Sequence, residues 1–196
     1  MSRGSIRFSR VSLAVPAGSF TDRAGNPYAG TTTYDFRTVN ALTGTAANNI
    51  LSFTSTVDRL TGLAGADTFR HTSLSHSLLP AAASTLIDRI TDLVTGLDAI
   101  DAPVARSLAQ ALNPVTLGMV SELSASAITA LLTPVSFPSL TTTSTGGVAS
   151  FTYSEPVAGT RTFLAINNDT AGFSAATDAI LEITGYNGSL SSLQVY

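Results

Sequence analysis

The chain has 196 residues, of which 44% are hydrophobic and only 12% are charged, and its formal net charge is −3. That length suits one domain, or a small domain with an appendage, and the apolar content argues against disorder. The ten basic residues are scattered along the sequence. They form neither a nucleic-acid footprint nor a polybasic membrane patch.

Lysine and cysteine are both absent from the sequence. All ten cationic side chains are arginine, which excludes Walker-A phosphate binding, Schiff-base chemistry and the Ser-x-x-Lys nucleophile. There is no cysteine, which excludes disulfides, thiolate zinc sites and cysteine nucleophiles. No apolar run approaches the ~20 residues of a membrane span, and Val11–Val15 is too short for a signal-peptide core. We therefore expect a protein that is soluble or leaves the cell without an N-terminal signal.

Residues 1–34 read as a segment of short strands and irregular turns. Apolar residues alternate from Val11 to Val15, which predicts a strand. A cluster of turn-forming residues follows at 22–27, and residues 31–39 are rich in β-prone side chains.

A period of nine residues runs through the middle of the chain, with an Asn or Asp followed two residues later by a large apolar residue. The polar members are Asn40, Asn49, Asp58 and Asp67, and the apolar members are Leu42, Leu51, Leu60 and Phe69. This period is the signature of a parallel β-roll, in which each repeat forms a turn and a short strand. We expect the apolar side chains to stack inside the roll and the polar turns to face outward.

The turns of such a roll offer carboxylate and carbonyl oxygens, which are the ligands that Ca²⁺ prefers. Two repeats make one coil, so an ion would lie between Asn40 and Asp58, or between Asn49 and Asp67. The best preserved turn also keeps two glycines, which tolerate backbone conformations costly to other residues. The candidate metal ligands and turn residues are Asn49, Asp58, Gly62, Gly65 and Asp67. Each pair offers one carboxylate, so we expect weak or lost calcium affinity; the alternative is that each Asp only bonds its own turn.

Residues 88–101 allow two interpretations. The spacing of Ile90, Leu93 and Leu97 fits one face of a helix, with the aspartates on its solvated side. The alternative is a strand and turn at the end of the roll, which is favoured because Gly96 shortly precedes Asp98.

The remainder predicts a helical insert and linker over residues 102–146 and a C-terminal β cap over residues 147–196. Apolar residues at helical spacing from Leu117 to Leu131 indicate one helix face. Strand-like runs in the cap are 148–154, 161–167 and 178–184. On the last run, Asp178 and Glu182 are expected on the wet side of a strand.

No complete catalytic constellation is visible, and we expect no enzyme. The two histidines, His71 and His76, are five residues apart and do not form the His-Glu-x-x-His motif of a zincin. The Gly-x-Ser-x-Gly elbow of a serine hydrolase is also absent from the sequence. We assign no catalytic residue and no cofactor besides calcium.

Residues 35–70, together with the Asp-rich segment 88–101, resemble the hemolysin-type (RTX) calcium-binding repeat proteins. Residues 159–185 resemble the "bluetail" ending of cyanobacterial surface proteins, and residues 190–196 close the chain as that ending does. The resemblance covers about residues 40–196. It departs from the family at Asn168, where a carboxylate is expected, and this argues against an ion site on that turn.

This resemblance implies a mainly β protein, with a degenerate RTX-type roll over residues 35–101. It implies a non-catalytic structural module, secreted or attached to the cell surface, with calcium stabilising the roll outside the cell. Export would use type I secretion machinery, which would read an uncleaved signal in the C-terminal cap, and cell-envelope components are possible partners. Nucleic acid is not expected. The alternatives are a C-terminal fragment of a secreted hydrolase and an adhesion or binding module.

Overall fold

The computed structural model shows a mainly β protein, which confirms that prediction. It describes residues 11–36, 39–80, 87–103, 111–139, 147–155 and 159–196. The chain divides into two compact units, residues 1–40 and 41–196. In the part of the chain that is described, no helix combines the length and apolar character needed to cross a membrane.

The first unit contains an antiparallel pair of strands, β1 (Val11–Val15) and β2 (Thr31–Phe36). The turn cluster between them is held by Asp22, whose carboxylate accepts the backbone N–H groups of Ala24 and Asn26 at 2.8 and 2.9 Å. Phe20 stacks on Tyr28 with ring centroids 4.5 Å apart. The predicted strand and turn thus occur where the sequence places them.

The remaining strands form two sheets. They are β3 (Asn40–Thr43), β4 (Ile50–Ser52), β5 (Asp58–Thr61), β6 (Thr68–Arg70), β7 (Arg89–Ile90), β8 (Ala99–Asp101), β9 (Val115–Val120), β10 (Val148–Glu155), β11 (Gly159–Ile166), β12 (Ala179–Glu182) and β13 (Gln194–Val195). The strand order is β3-β5-β7-β12-β11-β10-β9 in the larger sheet and β13-β8-β6-β4 in the smaller one. Short 3₁₀ helices cover Leu74–Ser77 and Leu190–Ser192.

From β3 to β8 the chain alternates between the two sheets, so that it passes through both sheets three times. We call each passage a circuit. Parallel pairing places Leu51 opposite Phe69 in the smaller sheet, and Phe69 opposite Ile100. In the larger sheet, Leu60 lies opposite Ile90. Equivalent apolar residues of successive circuits therefore lie side by side.

The apolar residues of the circuits share one buried cluster, which we call the first core. Leu60, Phe69 and Ile90 have no exposed surface, and Leu51 is 4% exposed. Leu42 is partly buried and packs against this cluster. Each strand has at most four residues, so one or two side chains point inward while their neighbours remain exposed or half-buried.

The C-terminal strands extend the same sheets. β10 and β11 form an antiparallel hairpin, β12 pairs antiparallel with β11, and β12 pairs parallel with β7. β13 pairs parallel with β8 in the smaller sheet. The three strand-like runs of the predicted cap correspond to β10, β11 and β12. A second core, on the other face of these strands, includes Phe151, Phe163, Ile128, Leu132 and Phe137.

The predicted helix face from Leu117 to Leu131 is wrong in its first half. Residues 115–120 form the strand β9, which is parallel to β10, and only Ala125–Leu131 form a helix, α1. The helix begins at Ser124, whose hydroxyl accepts the N–H of Ala127 at 3.2 Å. The helical period was misleading because a strand and a helix both direct apolar residues into the second core.

Residues 88–101 form strands and a turn, so the helical interpretation of this segment is wrong. β7 and β8 flank a turn in which Gly96 has a φ of +83°. The predicted helical residues 104–110 and most of the predicted linker, at 140–146, lie outside the described residues.

Candidate functional site

The structure brings Asn49, Gly62, Gly65 and Asp67 together at one edge of the circuits, where two turns stack. Ala66 donates its N–H to the side-chain oxygen of Asn48 at 2.9 Å. A Cβ built on Gly65 would lie 2.7 Å from the carbonyl carbon of Ala47, and Gly65 has a φ of +115°. Glycine is required at this position because the backbones of the two turns are in contact.

Each of the two stacked turns also has a glycine near its start, Gly44 or Gly62, and the absence of a Cβ there leaves space for the Asn or Asp side chain of the same turn. A Cβ on Gly62 would collide with Oδ2 of Asp67, and a Cβ on Gly44 would collide with Oδ1 of Asn49. Both glycines precede the polar residue by five positions. The side chain folds back over the start of the turn in each case.

Three Asp or Asn side chains bond to their own turns, and each accepts the backbone N–H of the residue four positions earlier. These donor and acceptor pairs are Thr45 with Asn49, Thr54 with Asp58 and Val94 with Asp98. The geometry is that of a turn closed by its own Asp or Asn side chain.

The carboxylates of Asp67, Asp88 and Asp98 join one circuit to the next. Asn49 donates its backbone N–H to Oδ1 of Asp67 at 2.8 Å. Asp58 donates to Oδ1 of Asp88 at 2.7 Å, and Asp67 donates to Oδ1 of Asp98 at 2.9 Å. We call this set of five residues the Asx ladder. Each rung is a hydrogen bond from a backbone N–H to the carboxyl group of the following circuit, the strong type when that group is ionised.

The aspartates of the Asx ladder are almost fully buried. Asp58 and Asp67 are each 1% exposed, and Asp88 and Asp98 are each 4% exposed. Burial raises the pKa of Asp98, while the N–H donors of Asp67 and Val94 oppose that shift. Buried carboxylates require hydrogen-bond donors, and the ladder supplies them from the backbone.

The turn residues fit calcium poorly. Ca²⁺ takes about six to eight oxygen ligands. Oδ2 of Asp67 is buried without a hydrogen-bond partner, so it is available to a cation. Oδ1 of Asp67 and Oδ1 of Asn49 already accept N–H groups. Within the part of the chain that the structure describes, no three His, Cys, Asp or Glu residues are grouped so as to hold a metal ion.

Asp58 lies at the opposite edge of the circuits, beside a buried polar chain. Ser77 donates its hydroxyl to Oδ2 of Asp88, and Nε2 of His71 lies 2.8 Å from the same hydroxyl oxygen. The ring of His71 stacks on Phe53 with centroids 4.0 Å apart. His71 is 2% exposed and Ser77 is 4% exposed. This chain of hydrogen bonds therefore joins the 3₁₀ helix at Leu74–Ser77 to Asp88, the residue that precedes β7.

Burial shifts the two ends of this polar chain in opposite directions. Burial raises the pKa of Asp88 to about 7, against the effect of its bonds from Ser77 and Asp58. Burial lowers the pKa of His71 to about 3, and the charge of His76 adds to the shift. His71 is thus neutral at neutral pH. Ser77 is not arranged as a nucleophile, because its hydroxyl points at a carboxylate and is buried.

Asp178 and Glu182 are buried, so their predicted place on the wet side of a strand is wrong. Asp178 is 0% exposed and accepts the N–H groups of Asn168 and Ser174 at 3.1 and 2.7 Å. Glu182 is 6% exposed and accepts from Arg161 at 2.6 Å. Burial favours protonated Glu182, but the bond and charge of Arg161 hold its pKa below the usual value. Both residues support the sheet rather than form a carboxylate pair.

Neither a protein-family model nor a curated protein sequence matches the chain. The function is therefore argued from the residues, from the Asx ladder and from the way the two sheets are built.

Proposed function

We propose that residues 40–101 form a short parallel β-roll of the RTX type, and that the protein is a non-catalytic structural module of the cell surface or the extracellular space. The observation that supports this proposal is the Asx ladder. In each rung, a backbone N–H of one circuit donates a hydrogen bond to a carboxylate of the next circuit. The repeated Asp and Asn residues therefore hold the circuits together. Such an arrangement gives a stiff body without a reactive centre.

The proposed route to the outside is type I secretion, with the signal in the C-terminal segment. The last residues are folded into the smaller sheet. Tyr196 donates its N–H to the carbonyl of Ile100 at 3.0 Å, and Ala102 donates to the carbonyl of Tyr196 at 2.7 Å. A secretion machinery would read this segment before the sheet closes around it. Folding of the C-terminus would then follow export.

Calcium has a small role in this proposal. Oδ2 of Asp67 is the atom at which Ca²⁺ would bind, since Oδ1 of Asn48, of Asn49 and of Asp67 already accept backbone N–H groups. An ion that binds only the folded state stabilises it in proportion to its affinity. With one open carboxylate oxygen, the affinity is weak and the ladder carries the stability.

The proposal is tested by thermal unfolding, followed by circular dichroism, in chelator and in millimolar CaCl₂. We expect the two Tm values to differ by less than about 3 °C, equivalent to about 1 kcal/mol for a chain of this size. Any rise with calcium should disappear in Asp67→Asn and persist in Asp169→Asn, which changes an exposed aspartate. MgCl₂ at equal ionic strength controls for screening. A protein that unfolds in chelator would show that the ladder alone does not hold the circuits.

A further inference from the structure

A groove lies where the segment 186–191 passes over one face of β9, β10 and β11. Its volume is about 410 Å³, which is within the range of about 300–1,000 Å³ typical of small-molecule sites. The principal side chains that line it are Thr116, Ser150, Thr152, Thr162, Tyr186 and Ser189. It is distinct from the Asx ladder.

The floor of the groove is polar because the sheet face changes character along β10. Val148 is buried in the first core, whereas Ser150 and Thr152, which follow on the same face, line the groove. Pairing places Thr152 opposite Thr162 and Ser150 opposite Thr116. Three adjacent strands thus present four hydroxyl groups side by side.

Hydrogen bonds hold part of this floor in place. Ser150 is 1% exposed and donates to Oγ1 of Thr116 at 3.1 Å. Thr152 donates to the carbonyl of Gly118 at 3.4 Å. A hydroxyl has one proton and two acceptor sites. Thr116 therefore keeps its own proton, and Thr152 keeps acceptor sites, for a ligand in the groove.

The walls add an aromatic ring and no charge. Tyr186 packs partly against the first core while it lines the groove. Among the described residues that line the groove, none is Asp, Glu, Arg or His. A phosphate or carboxylate ligand would find no cation there to replace its hydration. A neutral ligand that carries many hydroxyl groups and one apolar ring face matches both the floor and the tyrosine.

We propose that this groove binds a neutral saccharide. The hydroxyl groups of a pyranose would bond to the floor at Thr116, Thr152 and Thr162, and its C–H face would lie against the ring of Tyr186. This activity would make the module an adhesin for surface glycans. It goes beyond the structural role proposed above and does not depend on calcium or on the Asx ladder.

The experiment is saturation-transfer NMR on the full chain with a panel of neutral cello-, malto-, manno- and galacto-oligosaccharides. Oligo-uronates serve as the charged comparison. We expect transfer to at least one neutral oligosaccharide and none to the uronates. A silent neutral panel, or equal transfer to the uronates, would overturn the proposal.

Variants then locate the site. Thr152→Val combined with Thr162→Val removes two floor hydroxyls but keeps the shape of the side chains, and we expect at least a tenfold loss of affinity. Thr160→Val is the matched control, because it makes the same change at an exposed position of β11 outside the groove. Tyr186→Phe should keep binding and Tyr186→Ala should lose it, with the Tm of each variant measured in parallel. Unchanged affinity in the double variant would place the saccharide elsewhere and overturn the assignment.

Discussion

His71 and Asp88 are the two ends of one buried hydrogen-bonded chain, and their proton affinities move in opposite directions on folding. In the unfolded chain, Asp88 ionises near its ordinary pKa of 3.8 and His71 near 6.5. In the folded protein, the pKa of Asp88 is about 7 and that of His71 is about 3. Between about pH 4 and 6.5, the folded state holds a proton on Asp88 and the unfolded state holds one on His71. In this pH range the two residues together bind one proton in the folded state and one in the unfolded state. The free energy of unfolding depends on pH only where these two numbers differ, so the contributions of His71 and Asp88 cancel.

Single substitutions at His71 and Asp88 should separate their two opposite contributions to the pH dependence of the free energy of unfolding. In His71→Phe, Asp88 alone remains, so the folded state binds more protons and the free energy of unfolding falls as pH rises from about 4 to 7. In Asp88→Asn, His71 alone remains, so the unfolded state binds more protons and the free energy of unfolding rises from about pH 3 to 6.5. Each slope is at most about 1.4 kcal/mol per pH unit.

Urea unfolding at pH 4, 5, 6 and 7 in chelator measures these slopes. The slope of the original chain is expected to lie between those of the two variants, because the contributions of His71 and Asp88 cancel in it and those of the other carboxyl groups, such as Asp98, are common to all three proteins. Parallel pH profiles in all three proteins would contradict the coupling of the two residues. Asp169→Asn is a suitable control, since it removes an exposed carboxylate that the polar chain does not contact.

Which polar residues stack was predictable only while the nine-residue period continued. The spacing predicted that Asn49 and Asp67 would meet, and Asp67 accepts the N–H of Asn49 across 18 positions. The next rungs join residues 30 and 31 positions apart. The period is broken after β6, where residues 71–80 depart from the repeat and include a 3₁₀ helix at Leu74–Ser77, with Leu74 packed into the first core. The residue spacing around Asp88 does not predict this break in the period.

Among the secondary-structure elements, the strand-like runs of the C-terminal segment predicted the long strands well. β10 and β11 have eight residues each and read clearly as strands. The helical period from Leu117 to Leu131 failed as a prediction because the spacing of apolar residues shows which residues face a core. It does not show whether the backbone there is a helix or a strand. β9 and α1 both contribute to the second core. The start of α1 depends on the N-cap at Ser124, and the pattern of hydrophobic residues carries no information about that cap.

The register of the circuits is open to a cross-linking test, because the chain contains no cysteine. Ile50 and Thr68 are opposite each other in the parallel pair β4–β6, with Ile50 58% exposed. Neighbouring strands are about 4.8 Å apart, which is within the Cα separation that a disulfide spans. Ile50→Cys combined with Thr68→Cys should therefore oxidise readily in the folded protein.

The matched control is Ser52→Cys combined with Thr68→Cys. Ser52 pairs with Arg70, two positions further along the strand, so its Cα lies more than about 7 Å from that of Thr68, too far for a disulfide. Thiol titration after mild oxidation measures both pairs. Equal oxidation of the two pairs, or a reduced Ile50/Thr68 pair, would contradict the stacking of circuits in this register.

At the scale of the whole molecule, the sheets cross the boundaries predicted at residues 101 and 147. Glu182 of β12 lies opposite Arg89 of β7, and its N–H donates to the carbonyl of Asp88 at 2.8 Å. Its carboxylate is 3.7 Å from Arg89 and 2.6 Å from Arg161. The last circuit is thus completed by strands from the C-terminal segment. Composition separates these segments, but the pairing of backbones that unites them is long-range and has no local signal.

This architecture predicts that the two ends of the chain differ in importance. Residues 1–40 are a compact unit of their own, so a chain of residues 40–196 should fold with one cooperative transition and a Tm within a few degrees of the full chain. Removal of residues 190–196 should be far more damaging. Leu193 and Val195 have no exposed surface, and β13 completes the edge of the smaller sheet beside β8.

The expected loss follows from burial. Deleting a buried Leu side chain costs about 2–5 kcal/mol, while a whole domain is stable by about 5–15 kcal/mol. The short C-terminal deletion also leaves the carbonyl of Ile100 and the N–H of Leu112 without their partners Tyr196 and Val195. Circular dichroism and calorimetry should therefore show a weakened or absent transition after loss of seven residues at the C-terminus. A cooperative transition that survives this deletion but not the removal of the N-terminal 39 residues would mean that the circuits are closed from the N-terminal side, contrary to the pairing of β8 with β13.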